Sequence, residues 1–120
     1  MTINSVICGI ISLPRRFHET GDKSIYTLLL ETGYANIRDQ VTVDAIRVAL
    51  SKRPESVADW LQYSCDKRTT GGWYLKEEGS GEFIVGSMAN DERTNPHQET
   101  YHDKLSACSV FVKREIDSIM

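Results

Sequence analysis

Two runs decide how this chain folds: Val57-Ala58-Asp59-Trp60-Leu61-Gln62-Tyr63-Ser64, and, after a short polar stretch, Trp73-Tyr74-Leu75-Lys76 with Phe83-Ile84-Val85 beyond it. In the first, Val57, Trp60, Leu61 and Ser64 stand at i, i+3, i+4, i+7, which is one face of a helix. In the second, Trp73 and Leu75 alternate against Tyr74 and Lys76, so the period drops to two. Gly79-Ser80-Gly81 lies between the two apolar segments as a turn, and residues 73–88 read as an antiparallel hairpin. A lone hairpin is marginal in water, so it must lie on helices or pair with further strands. The expected fold is therefore α+β: a mostly helical single domain over residues 1–120 with a small antiparallel sheet.

Working outward, Pro54-Glu55 suits the first turn of the helix that carries Trp60, because proline lacks an N–H that the first turn leaves unused anyway. The preceding helix begins at Thr42, a capping residue, and shows Val43, Ile46, Ala49 and Leu50 on one face, with Asp44 complementing the positive end of its dipole. Further upstream, Asp22 or Ser24 can cap a helix bearing Ile25, Leu28 and Leu29, which Gly33 would end in a left-handed cap. The first apolar run, residues 6–11, fits either a helical face through Ile3, Val6, Ile7 and Ile10 or a buried strand; helix is the preferred reading. Downstream, residues 90–97 are polar and contain Pro96, a surface loop by composition. Asp103 then caps a last helix whose stripe runs Leu105, Cys108, Val112, Glu115/Ile116 and Ile119, with one imperfect step at 115/116.

At 120 residues, with 40% hydrophobic and 26% charged side chains, the chain has the balance of an ordinary folded domain rather than a disordered or low-complexity one. No apolar run approaches the ~18 residues that span a bilayer. The N-terminus has no basic segment before its apolar stretch, so no signal peptide is expected. Cys8, Cys65 and Cys108 are odd in number and widely spaced, which fits a reducing cytoplasm. Net charge is −3, all of it from the second half: residues 1–60 hold seven Lys+Arg and seven Asp+Glu, residues 61–120 seven and ten. That balance offers no footprint for phosphate backbones, so no direct nucleic-acid contact is expected.

The search for chemistry finds little. His97 and His102 are separated by a proline-containing stretch and lack metal-ligand spacing, and His18 stands apart. The cysteines all sit in apolar or helical runs and read as small buried hydrophobes. The glycines complete no phosphate-binding motif. No catalytic residue, metal or cofactor is implied. Two segments could instead bind a partner. Glu77, Glu78 and Glu82 flank the hairpin turn, with Asp91 and Glu92 in the following loop, and together they make an acidic recognition surface or merely a solvated face. Residues 60–74 bracket a charged, hydroxyl-rich turn with aromatic rings, which makes Tyr63, Asp66 and Tyr74 candidate contacts; the structural reading, with Trp60 and Trp73 as core anchors, is preferred.

At this segment the chain resembles a family of small bacterial immunity proteins linked to polymorphic toxins, including those of contact-dependent growth inhibition. The pattern is W-L-x-Y-S-x-D-K-R, a short small-residue stretch, then G-W-Y: here Trp60, Leu61, Tyr63, Ser64, Asp66, Lys67, Arg68, Gly72, Trp73 and Tyr74. The resemblance extends to Val41-Thr42-Val43, Phe83-Ile84-Val85-Gly86, Ala107-Cys108 and Phe111-Val112-Lys113, about residues 37–119. It implies a non-enzymatic cytoplasmic protein, a monomer when free, that binds a cognate toxin domain one-to-one, without membrane association. Family members differ most at the contact surface, so it assigns no contact residue. A regulatory or scaffold module holding a host protein, and less readily a small enzyme, are the other classes open to such a chain.

Overall fold

The computed structural model describes residues 3–66, 72–79, 81–87 and 98–119; the expected loop at 90–97, with Asp91 and Glu92, lies outside them. Among the described residues are seven α-helices, α1 (Ile3–Ile11), α2 (Leu13–Thr20), α3 (Ile25–Thr32), α4 (Tyr34–Ile37), α5 (Val43–Ser51), α6 (Pro54–Asp66) and α7 (Lys104–Ile119). A 3-10 turn, Arg38–Gln40, follows α4, and three strands stand between α6 and α7: β1 (Trp73–Glu77), β2 (Phe83–Ser87) and β3 (Gln98–Tyr101). This is the α+β arrangement expected.

The first run is helical: Val6, Ile7, Ile10 and Ile11 are all buried on one side of α1. Ser24, not Asp22, caps α3, its Oγ accepting from the Thr27 amide at 3.1 Å, and Gly33 ends the helix at φ 85°, a conformation that costs glycine nothing. Thr42 caps α5 in the same way through the Ala45 amide. Asp103 Oδ2 takes the Ser106 amide at 3.0 Å at the start of α7, and the Ser106 hydroxyl first, then that amide, hold its carboxyl below the ordinary range.

Two elements depart from the sequence reading. Helix α2 has few apolar residues, yet Pro14 fits its first turn and Leu13 and Pro14 are buried. Its polar face is tied down by ion pairs from Arg15 to Asp59 of α6 (3.2 Å) and from Arg16 to Glu31 of α3 (3.4 Å). Strand β3, Gln98-Glu99-Thr100-Tyr101, lacks the apolar alternation of a strand and forms because β2 offers a free edge beside it.

The sheet is antiparallel in the order β1-β2-β3. Trp73 pairs with Ser87, Leu75 with Val85 and Glu77 with Phe83; across β2, Phe83 pairs with Tyr101 and Val85 with Glu99. One face, carrying Leu75, Phe83 and Val85, packs on α6 and α7, and α7 packs its other flank on α5. Because α7 lies between sheet and helices, it is buried nearly all round, at Ala107, Cys108, Ser109, Phe111, Val112, Glu115 and Ile116. Trp60 sits at the centre, fully buried, with Tyr63 and Phe111 set edge-on at 5.3 and 5.9 Å. Its indole N–H donates to the Ile11 carbonyl at 3.2 Å.

Candidate functional site

Residues 60–65 and 72–74 converge with α7 on one junction. As α6 ends, Tyr63 turns inward and its hydroxyl donates to Glu115 Oε2 of α7 at 3.0 Å. Glu115 is 1% exposed, and its other oxygen accepts the Trp73 amide at 3.1 Å and the Ser118 hydroxyl at 3.3 Å. One carboxylate thereby fastens α6, β1 and α7 together. Burial first, then the neighbouring Glu115 charge, pushes the Tyr63 hydroxyl well above the ordinary tyrosine range, which keeps it a donor.

Ser64 completes the junction. Its Oγ accepts the Leu75 amide at 2.7 Å and donates to the Leu75 carbonyl at 2.9 Å. Both backbone groups of Leu75 therefore point away from β2, towards α6. The Trp73 ring is half-buried beneath the Arg114 guanidinium, 4.8 Å from its centroid, and Arg114 reaches on to Glu99 Oε1 of β3 at 2.6 Å. Glu99 also accepts the Tyr101 hydroxyl; burial and this bond push that group up to about 12. Trp60 is thus a core anchor, as read from sequence, whereas Trp73 is half-buried and packs against the core rather than within it. Tyr63, offered as a contact residue, presents neither a free hydroxyl nor an open ring, because the helical phase that places Trp60 in the core carries Tyr63 with it.

The hairpin end is different. Glu78 donates its amide to the Glu82 carbonyl at 2.8 Å, and Gly81, at φ 86°, returns its amide to the Glu78 carbonyl at 3.2 Å, the three-residue loop with a left-handed third position that suits twisted strands. This geometry sets Glu78 and Glu82 side by side, as expected. Glu77 is exposed, and Glu78 meets Lys76 at 3.5 Å in a wet ion pair of little energetic weight. Tyr74 lies on the outer sheet face, over Gly86, and its hydroxyl accepts from Gln98 Nε2 at 2.8 Å. The end of α6 includes Asp66, whose side chain lies outside the described part, as do Asp91 and Glu92.

The cysteines need a correction. Cys108 is buried and its thiol is pushed up to about 12 by desolvation, but Cys8 and Cys65 are exposed. They stand on apolar helices yet on the outward side, since Val6, Ile7, Ile10 and Ile11 take the inner face of α1. All three thiols are free. His18 and His102 are exposed, and no group of three or more His, Cys, Asp and Glu among the described residues could hold a metal ion. A depression of about 400 Å³ at 35–40 contains Arg38 and Asp39 but no serine, cysteine, histidine or lysine. Beside it Tyr34 donates to Asp117 and accepts from Lys113 Nζ at 2.6 Å, a polar staple between α4 and α7. No helix among the described residues is long and apolar enough to cross a membrane. Compared with known protein families, curated proteins and solved structures, the chain matches none.

Proposed function

We propose that this chain is an immunity-type protein of the bacterial cytoplasm that binds a cognate toxin domain one-to-one and blocks its active site or its access to substrate, with no catalytic task of its own. The observation that carries this reading is where the signature's side chains go. Tyr63 and Ser64 fasten α6 to α7 and β1, and the Trp73 ring packs beneath Arg114 of α7, so the resemblance rests on residues that build the domain, and the surface is free to vary with the partner. What that junction holds rigid is a hairpin whose tip carries Glu77, Glu78 and Glu82. A delivered nuclease needs a basic cleft for phosphates, and an acidic protrusion on a preorganised scaffold suits it by speeding encounter and fixing register.

Co-expression with the toxin C-terminal domain encoded immediately upstream tests the reading. Growth should be restored and a stable one-to-one complex should copurify. Growth rescue without any detectable complex rejects a blocking mechanism.

A further inference from the structure

The two edges of the sheet are finished differently. Because Leu75 turns both backbone groups to Ser64, alternation assigns Tyr74 and Lys76 to bonds with β2, and their partners Gly86 and Ile84 face β1. Phe83 and Val85 then face β3 and bond Tyr101 and Glu99, which leaves Gln98 and Thr100 with N–H and C=O groups pointing outward. At the β1 edge most such groups are covered: Ser64 takes both groups of Leu75 and Glu115 takes the Trp73 amide, so that of these outward-facing residues only Glu77, at the hairpin end, stays exposed. At the β3 edge no described residue covers those of Gln98 and Thr100, and both residues are exposed. The edge is also rigid, because Arg114 and Tyr101 hold Glu99 beneath it. It carries no proline, bulge or outward lysine to turn a strand away.

We propose that the outward edge of β3 accepts an extended, lysine- or arginine-bearing segment of the toxin domain as a fourth strand. The inference rests on the proposed immunity function and adds the mode of contact. Charge selects the occupant: Tyr101, at one end of β3, pairs with Phe83 of β2, the neighbour of Glu82, so a segment paired there passes the side of the hairpin tip where Glu82 stands opposite Glu78, with Glu77 farther off on β1. Main-chain bonds would give affinity and the acidic tip would set direction.

Hydrogen exchange of the wild-type chain, free and with the toxin domain encoded immediately upstream, provides the test. In the free protein the Thr100 amide should exchange fast while Glu99 and Tyr101 are protected; in the complex Thr100 should slow by at least ~10-fold. Thr100→Pro, which removes an outward amide and no bond to β2, should weaken binding by ~10-fold, the scale of one lost hydrogen bond, and Glu82→Lys should slow association. Unchanged Thr100 exchange in a complex that still forms overturns the edge while sparing the immunity reading. Failure of the wild-type chain to bind that domain overturns both. Protection of Thr100 by self-association of the free chain, or an association rate indifferent to Glu82→Lys, overturns the cationic toxin strand as occupant.

Discussion

Replacing Glu115 with alanine should be among the most damaging single changes in this protein. The residue is 1% exposed and accepts the Tyr63 hydroxyl and the Trp73 amide. Without it the Tyr63 hydroxyl and the Trp73 amide both lose this acceptor in a half-buried setting, at about 1–3 kcal/mol each, and the lost methylene packing adds about 1 kcal/mol. The sum, roughly 3–7 kcal/mol, is a large share of the roughly 5–15 kcal/mol that keeps a domain folded. At about 3–6 °C per kcal/mol for a chain this size, the melting temperature should fall by at least about 10 °C. Urea unfolding followed by circular dichroism, on a double-mutant cycle with Tyr63→Phe, isolates the bond itself. Alone, Tyr63→Phe should cost about 1–3 kcal/mol. In the Glu115→Ala background it should cost nothing, since the hydroxyl there has already lost its acceptor. Equal costs for Tyr63→Phe in both backgrounds would refute the junction as the source of the stability.

Gly86→Ala would set a Cβ 2.7 Å from Tyr74 Cε1 and closer still to Cζ and Oη, so it should destabilise by about 1–3 kcal/mol, and most of that should return when Tyr74→Ala opens the space; thermal melts of the two single variants and the double check it. Asp103→Ala should cost about 1 kcal/mol at neutral pH through loss of the α7 cap. Because the folded carboxyl lies below its ordinary value, that contribution is present above about pH 4 and disappears as pH falls through the folded pKa, so the melting temperatures of wild type and variant should converge in acid. At the other extreme, Tyr34, Tyr63 and Tyr101 all hold their protons beyond the ordinary tyrosine range, Tyr101 to about 12. Their stabilisation is complete below about pH 10 and lost as pH rises through the folded values; ultraviolet phenolate titration should show three late tyrosines that normalise in urea.

What the sequence makes legible here is what local physics decides. Ser24, Thr42 and Asp103 cap helices because a short polar side chain before an apolar run has little else to do, and the hairpin follows from a change of period around Gly79 and Gly81. The tertiary decisions are hidden. Strand β3 has no apolar pattern of its own and is a strand only because β2 presents an edge. Helix α2 looks like a break until Arg16 finds Glu31 on the next helix and Arg15 finds Asp59 on α6, remote in sequence. Glu115 did leave a trace, as the one imperfect step in the α7 stripe, but that trace cannot say that the intruding carboxylate serves Tyr63 and Trp73. At the candidate site the acidic pairing of Glu78 with Glu82 follows from turn geometry alone, whereas the inward turn of Tyr63 depends on where Trp60 packs.

A partner-binding surface has to be built from groups that the fold does not already consume, and that condition sorts the candidates. Serine at 64 satisfies two backbone groups of Leu75 with one hydroxyl. Alanine there would leave both without this partner, so a serine at this position needs no binding role. The same holds for Tyr63, whose hydroxyl is committed to Glu115. By covering Leu75 and the Trp73 amide, these residues also leave β3 the more open edge for an incoming strand. Among the described residues the helices expose apolar side chains such as Phe17, Tyr26, Leu30 and Val48, whereas the polar groups that suit a cationic partner, the outward amides and carbonyls of Gln98 and Thr100 and the carboxylates of Glu77 and Glu82, belong to the sheet and its hairpin tip. A variant that weakens binding without lowering the melting temperature should therefore map to this side of the molecule, and one that does both should map to the junction around Glu115.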